Sequence, residues 1–240
     1  MWGGVSGSAL LLGALIGYYV KLPHKVISGI MAFGVGVLIA TLSFNLMEEA
    51  VEQGTVASAV IGFAIGVVIY TGANALLSHH GAKHRKHSRR PAVAKASAGT
   101  AIAIGSLIDG VPESAAIGIS LLDGEGVALM TVIAIFLSNL PEGLSSSVGM
   151  KRDGKSAFYI FSLWVGISGA AALAAYLGFT VIGGMSPVIL SAATAVAAGA
   201  ILVMILQTMI PEAFEDIHGF TGPIAAVGFL LAFAGTQLVG

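Results

Sequence analysis

Eight apolar stretches, each close to the length that crosses a lipid bilayer, constrain this chain more than any other feature. They fall at 2–20, 27–50, 55–77, 96–122, 126–150, 156–182, 187–212 and 220–239. A helix needs about 20 consecutive apolar residues to span the hydrocarbon core of a membrane. Polar or Gly- and Pro-containing breaks such as KLPHK and KRDGK separate the stretches. We therefore predict eight transmembrane helices, the first of which begins without the basic segment of a signal peptide.

The composition supports a membrane protein over a soluble one. Hydrophobic residues make up 56% of the chain and charged residues only 10%, whereas about one quarter of the residues in soluble domains are charged. The alternating pattern of a membrane β-barrel is missing. We expect an all-α integral membrane protein with a single transmembrane domain, 1–240, in contact with the lipid bilayer. The absence of cysteine excludes thiolate ligands and thiol catalysis, and the net charge of -1 gives no indication of a nucleic-acid partner.

The basic residues predict the orientation of the chain. All eleven Lys and Arg residues lie between spans 1 and 2, between spans 3 and 4, or between spans 5 and 6: Lys21, Lys25, Lys83, Arg85, Lys86, Arg89, Arg90, Lys95, Lys151, Arg152 and Lys155. With eight spans these three loops face the same side, which the positive-inside rule makes the cytoplasm. Both termini then face outward, and the expected location is the plasma (inner) membrane.

Two internal similarities suggest a repeat. An offset of 163 residues aligns GVLIATLSFNLMEEAVE at 36–52 with GAILVMILQTMIPEAFE at 199–215 and matches Gly36 with Gly199 and Glu49 with Glu212. A shorter match at offset 29 pairs the Pro-Glu of span 4 with that of span 5. We expect a 3+2+3 arrangement in which spans 1–3 and 6–8 form an inverted repeat around spans 4 and 5, as is typical of transporters.

Ionisable side chains interrupt the two central spans. Span 4 carries Asp109 and Glu113, and span 5 carries Ser138, Asn139 and Glu142. A charged residue at the centre of a membrane helix costs about 2.5–3.5 kcal/mol. The two acids of span 4 are four residues apart and share a helix face, as do Ser138 and Glu142 of span 5. No Lys, Arg or His lies within a span to balance the charge, which leaves protons, a metal cation or both.

Each of these spans also contains a proline, in DGVPES at 109–114 and in SNLPEG at 138–143. Proline removes a backbone hydrogen bond and bends a helix, which frees the carbonyl four residues earlier. The freed carbonyls would be those of Ile108 and Leu137, close to the acidic side chains. An alternative is that the carboxylates are protonated and join helices by hydrogen bonds.

The two motifs resemble those of the ZIP (ZRT/IRT-like protein) divalent metal transporters, whose fourth and fifth spans carry His-Asn-x-Pro-Glu-Gly or close variants. The eight spans, the outward termini, the histidine-rich cytoplasmic loop and the Pro-Glu-Ala at 211–213 are similar as well. The chain looks like a divergent, bacterial-type member. The resemblance implies a transmembrane metal pathway with a metal centre, mononuclear or binuclear, near the membrane midplane.

Carried over by position, the resemblance implies a metal site in spans 4 and 5, supplemented from span 7. Asp109 stands in place of the first histidine of the span 4 motif, Gly110 in place of its asparagine, and Ser138 in place of the first ligand of span 5. These departures leave an oxygen-rich site, which suits harder ions such as Mn²⁺, or Fe²⁺ and Zn²⁺ held less tightly. The implied ligands are Asp109, Glu113, Ser138, Asn139, Glu142 and Glu212.

Further acidic and histidine residues are candidates for secondary roles. Glu48, Glu49 and Asp216 lie at the ends of spans 2 and 7, where they could gather cations at an entrance or an exit, or simply mark solvated span ends. The cytoplasmic loop 79–91 is rich in His, Lys and Arg, and its histidines could bind metal and regulate transport, or the loop could contact anionic lipid. They are His79, His80, His84 and His87.

The function expected from the sequence is transport of a divalent metal cation toward the cytoplasm, with zinc as the first choice and manganese or iron as others. The metal is the substrate, and no organic cofactor is expected. No nucleotide-binding loop or catalytic constellation is present, so we do not expect an enzyme. Alternatives are a proton- or sodium-coupled carrier of another solute and an intramembrane hydrolase. A homodimer is compatible with the sequence.

Overall fold

A computed structural model describes residues 2–77, 98–122 and 125–239, with the side chains of 77, 98–104, 125–128, 130 and 239 left undescribed. Within these ranges the chain forms eight helical rods and no strand, so the prediction of an all-helical fold is confirmed there. The rods are α1 (Trp2–Tyr19), α2 (His24–Gln53), α3 (Val56–Leu77), α4 (Ala98–Ser120), α5 (Glu125–Arg152), α6 (Ala157–Thr180), α7 (187–217) and α8 (Thr221–Val239).

Several of these helices could cross a membrane. Four segments of the described chain are long and apolar enough to do so: His24–Gln53, Val56–Leu76, Ala157–Gly184 and Pro187–Leu238. Two of them, in α3 and α6, have only 28% and 22% of their residues buried and expose large apolar side chains such as Val68 and Leu173. A helix that is apolar on its exposed face is typical of a protein surrounded by lipid.

Two central rods, α2 and α7, share an irregularity at equivalent positions. Each contains a π-helical segment, Leu42–Leu46 in α2 and Ile205–Met209 in α7. The two segments begin at Leu42 and at Ile205, which are 163 residues apart, the same offset that aligns the two sequences. Such π segments are rare and are frequently found at functional sites. Side chains of both rods form most of the main apolar core.

Close helix pairs connect each of these central rods to an outer rod. A methyl group at Gly36 of α2 would collide with the backbone of Ala225 in α8, and one at Gly199 of α7 would collide with the backbone of Phe63 in α3. Glycine lets two backbones approach in this way because it has no side chain. The remaining rods pack similarly, with α1 against α5 and α4 against α6, at Gly17 and Gly118 among other positions. Gly36 and Gly199, which the 163-residue offset aligns, thus each lie where their helix touches the backbone of a neighbouring helix.

Candidate functional site

The acidic pair of α4 faces the core. Asp109 and Glu113 are 0% and 1% exposed, and their face continues one turn later with Ala116 and Ile117. These two apolar residues pack in the same cluster as side chains of α2 and α7. The helix therefore directs both carboxylates into the main apolar core and away from the surrounding solvent or lipid.

A tyrosine from α3 contacts the first of these acids. The hydroxyl of Tyr70 donates a hydrogen bond to Oδ1 of Asp109, and the tyrosine is itself buried in the main core. Tyr70 is not among the residues predicted from the sequence. The available signal was a phenol inside an otherwise apolar span, since a buried tyrosine hydroxyl usually finds a hydrogen-bond partner.

One face of α5 carries Ser138, Glu142 and Ser145 toward α2 and α7. The three positions are four and three residues apart, which places them on the same side of a helix. All three are buried, with Glu142 7% exposed. A methyl group at Gly34 of α2 would lie 3.5 Å from Cα of Ser138. The Ser145 hydroxyl donates to Oε1 of Glu212 in α7. Ser145 is thus a further residue of this face, beyond those predicted from the sequence.

Asn139 lies on a different side of α5 from this face. Its amide Nδ2 donates to the carbonyl oxygen of Ser6 in α1 at 3.2 Å. Four residues later, Gly143 lies against the backbone of Leu10, which is also in α1. Asn139 Oδ1 is buried and has no hydrogen-bond partner among the described atoms. The predicted ligands of α5 are therefore divided: Ser138 and Glu142 share one face, and the nitrogen of Asn139 is engaged by α1. The Ser138 hydroxyl itself donates to the carbonyl of Ile135 at 2.9 Å.

Two further buried acids lie at opposite ends of the bundle. Glu212, 2% exposed, sits at the end where α2 begins, since Ser28 donates to its backbone carbonyl at 3.4 Å. Glu49 lies near the other end of α2 and accepts from Gln53 Nε2 at 2.9 Å. The end with Glu212 also holds Lys151, which donates to the backbone carbonyl of Tyr18.

The remaining predicted residues are less enclosed or are not described. Glu48 is exposed and Asp216 is partly buried. The loop at 79–91, with His79, His80, His84 and His87, lies outside the described residues. Within the described part of the chain, no three His, Asp or Glu side chains form a group that could hold a metal ion. The predicted metal ligands also include the hydroxyl oxygen of Ser138 and the amide oxygen of Asn139, which a group of His, Asp and Glu does not cover.

Comparison with known proteins adds no relative to these observations. The chain matches no protein-family model and no curated protein. The functional interpretation therefore depends on the chemistry of the buried groups.

Proposed function

We propose that this protein carries a divalent metal cation across a membrane, as a divergent protein of the ZIP type. The observation that supports this most is the burial of Asp109, Glu113 and Glu142 inside the helical bundle, where none of the three is more than 7% exposed. The Lys and Arg residues are confined by the sequence to helix ends and connecting segments. Buried acids in spans that contain no Lys or Arg create a preference for a mobile positive charge.

The energetics favour a cation as the cargo. Leaving three acids charged at the centre of a membrane would cost about 8–10 kcal/mol on the insertion scale. A dipositive ion held by carboxylate oxygens offsets much of that cost through direct coordination, and the hydroxyl of Tyr70 contributes a charge-assisted hydrogen bond to Asp109. Zinc is the first choice because of the ZIP resemblance, and the oxygen-rich ligands make manganese and iron the next candidates.

The path through the bundle would run between the two buried end acids. In this proposal Glu49 and Glu212 flank the central carboxylates, one near each end of α2. Glu48 and Asp216, at the same two ends, would attract cations from solution. Because no group of three acids or histidines is assembled in the described residues, the proposal requires the α4 and α5 carboxylates to draw together around the cation.

The proposed topology is eight transmembrane helices in the plasma (inner) membrane, in a 3+2+3 arrangement with spans 1–3 and 6–8 as an inverted repeat. Its support is the pair of π segments at the 163-residue offset and the matching crossings at Gly36 and Gly199. The contact between Lys151 and Tyr18 brings two of the basic breaks to one end of the bundle, as a shared cytoplasmic side requires.

Uptake into proteoliposomes tests the function. Purified protein is reconstituted, and influx of Zn²⁺, Mn²⁺ and Fe²⁺ is compared for wild type, Glu113→Gln and Glu142→Gln. These substitutions preserve side-chain size and remove the charge. We expect at least one of the three ions to enter through the wild type. Each variant should lose about tenfold or more of that flux, which corresponds to a loss of about 1.4 kcal/mol in stabilisation of the cation.

Glu52→Gln provides the matched control, because Glu52 is exposed at the end of α2 and its substitution should leave influx unchanged. Selectivity for Na⁺ over all three divalent ions would refute the proposal in favour of a sodium-coupled carrier. Cleavage of a membrane peptide that requires Asp109, with no metal influx, would refute it in favour of an intramembrane hydrolase.

A further inference from the structure

The hydroxyl of a tyrosine in α3 contacts Asp109, a residue of the proposed metal site, although α3 carries neither of the two sequence motifs. Tyr70 belongs to α3, and its hydroxyl donates to Oδ1 of Asp109, 39 residues further along the chain. The ring is 2% exposed and packs within the main apolar core. Its position is therefore fixed by packing, and the hydroxyl has little freedom to follow the carboxylate if the carboxylate moves.

The contact has a specific consequence for Asp109. A carboxylate has two oxygens that can accept hydrogen bonds or bind a cation, and the tyrosine engages one of them. The hydroxyl is neutral, so it leaves the negative charge of the carboxylate available to a cation. Groups that hydrogen-bond to a metal ligand set its orientation, and losing them typically costs 10–100-fold in metal affinity.

We infer that Tyr70 is a positioning residue for the cargo site, whose hydroxyl holds the Asp109 carboxylate in the orientation in which it binds the cation. This inference rests on the proposed function. It adds α3 to the elements that build the site, and it assigns the tyrosine a role through Asp109 without direct contact with the ion.

Direct binding measurements on the purified, full-length protein test the role independently of transport. Titration with Zn²⁺ and with Mn²⁺ gives the Kd of wild type, Tyr70→Phe and Tyr18→Phe. The first variant removes one oxygen and keeps the ring in the core, and we expect its Kd to rise 10–100-fold. Tyr18 is a partly buried tyrosine of α1 whose ring makes an edge-on contact with Phe161, so Tyr18→Phe should bind like wild type.

A double-mutant cycle separates positioning from a general effect on the fold. In an Asp109→Asn background, Tyr70→Phe should change the Kd less than threefold, because the tyrosine acts through the carboxylate that is no longer there. An equal loss of affinity in both backgrounds would overturn the inference. So would a wild-type or tighter Kd for Tyr70→Phe alone, since a tighter Kd would mean that the hydroxyl competes with the cation.

A second variant covers the case in which Tyr70→Phe does not fold. Asp109→Glu keeps the charge and both oxygens but moves the carboxylate by one methylene group from the place that Tyr70 fixes. We expect a rise in Kd of at least tenfold, and a wild-type Kd would overturn the inference. If the wild type itself binds neither Zn²⁺ nor Mn²⁺, the proposed function fails along with it. Wild-type binding combined with unaffected variants would reject the role of Tyr70 alone.

Discussion

Replacing Gly36 with alanine should separate α2 from α8, because the two backbones touch there. A methyl group at Gly36 would collide with the carbonyl of Ala225 and come within 2.8 Å of the Phe229 nitrogen. Both obstacles are backbone atoms of a helix, which cannot rotate aside as a side chain can. The helices must therefore shift apart, and contacts along the crossing are weakened.

A second glycine in the same helix supplies the matched control. At Gly29 the nearest atom to an added methyl group is Cδ1 of Ile224 at 3.8 Å, which is ordinary van der Waals contact. Alanine is favoured over glycine inside a helix by about 0.5–1 kcal/mol, and this gain applies to both positions. The difference between Gly36→Ala and Gly29→Ala therefore isolates the collision, for which overpacking in a dense core costs about 1–3 kcal/mol.

The free energy of unfolding in detergent micelles, measured by denaturant titration, gives this difference directly. We expect Gly29→Ala to be slightly more stable than wild type and Gly36→Ala to be about 1–3 kcal/mol less stable than Gly29→Ala. Gly199→Ala should resemble Gly36→Ala, because its methyl group would meet the Phe63 carbonyl in α3. Equal stabilities at Gly36 and Gly29 would refute the close crossing, and a neutral Gly199→Ala would refute its equivalence in α7.

Two further predictions concern the site and the topology. Ser145→Ala removes a hydroxyl that donates to Glu212 and should lower the unfolding free energy by about 1.5–3 kcal/mol. The buried hydroxyl of Ser146 has no hydrogen-bond partner among the described atoms, so Ser146→Ala should be nearly neutral. Equal losses in the two variants would contradict the hydrogen bond between Ser145 and Glu212. The chain has no cysteine, so Lys155→Cys and Met185→Cys each introduce a single thiol, and a membrane-impermeant maleimide added outside intact cells should label only Met185→Cys. Labelling of both from one side would contradict the proposed orientation.

The helices could be predicted from the sequence because their apolar runs are long and their breaks are clear. The run predicted at 187–212 lies in α7, which continues to residue 217, and the run at 27–50 lies in α2, which extends to Gln53. The added residues, VEQ at 51–53 and AFEDI at 213–217, include acids, so hydropathy alone ends the helices too early. Backbone hydrogen bonding continues through these residues because a helix does not stop where its side chains become polar.

The candidate site was only partly predictable. The acids of α4 are predicted to share a face, and the structure buries both on the side that packs into the main apolar core. Asn139 is predicted to be a ligand together with Glu142, yet its amide nitrogen donates a hydrogen bond to the carbonyl of Ser6. Spacing along one helix defines which residues are neighbours, but the identity of the opposing helix determines which of them meet.

The sequence by itself determined the number and the approximate limits of the helices in the described ranges, the sequence match at an offset of 163 residues and the acidic character of α4 and α5. These properties are local or periodic, and they can be read along one chain. Only the tertiary structure decided that Tyr70 meets Asp109 and that Ser145 meets Glu212. Both pairs join different helices across long stretches of chain, and helix packing, set by where glycines allow backbones to touch, places their side chains within reach of each other.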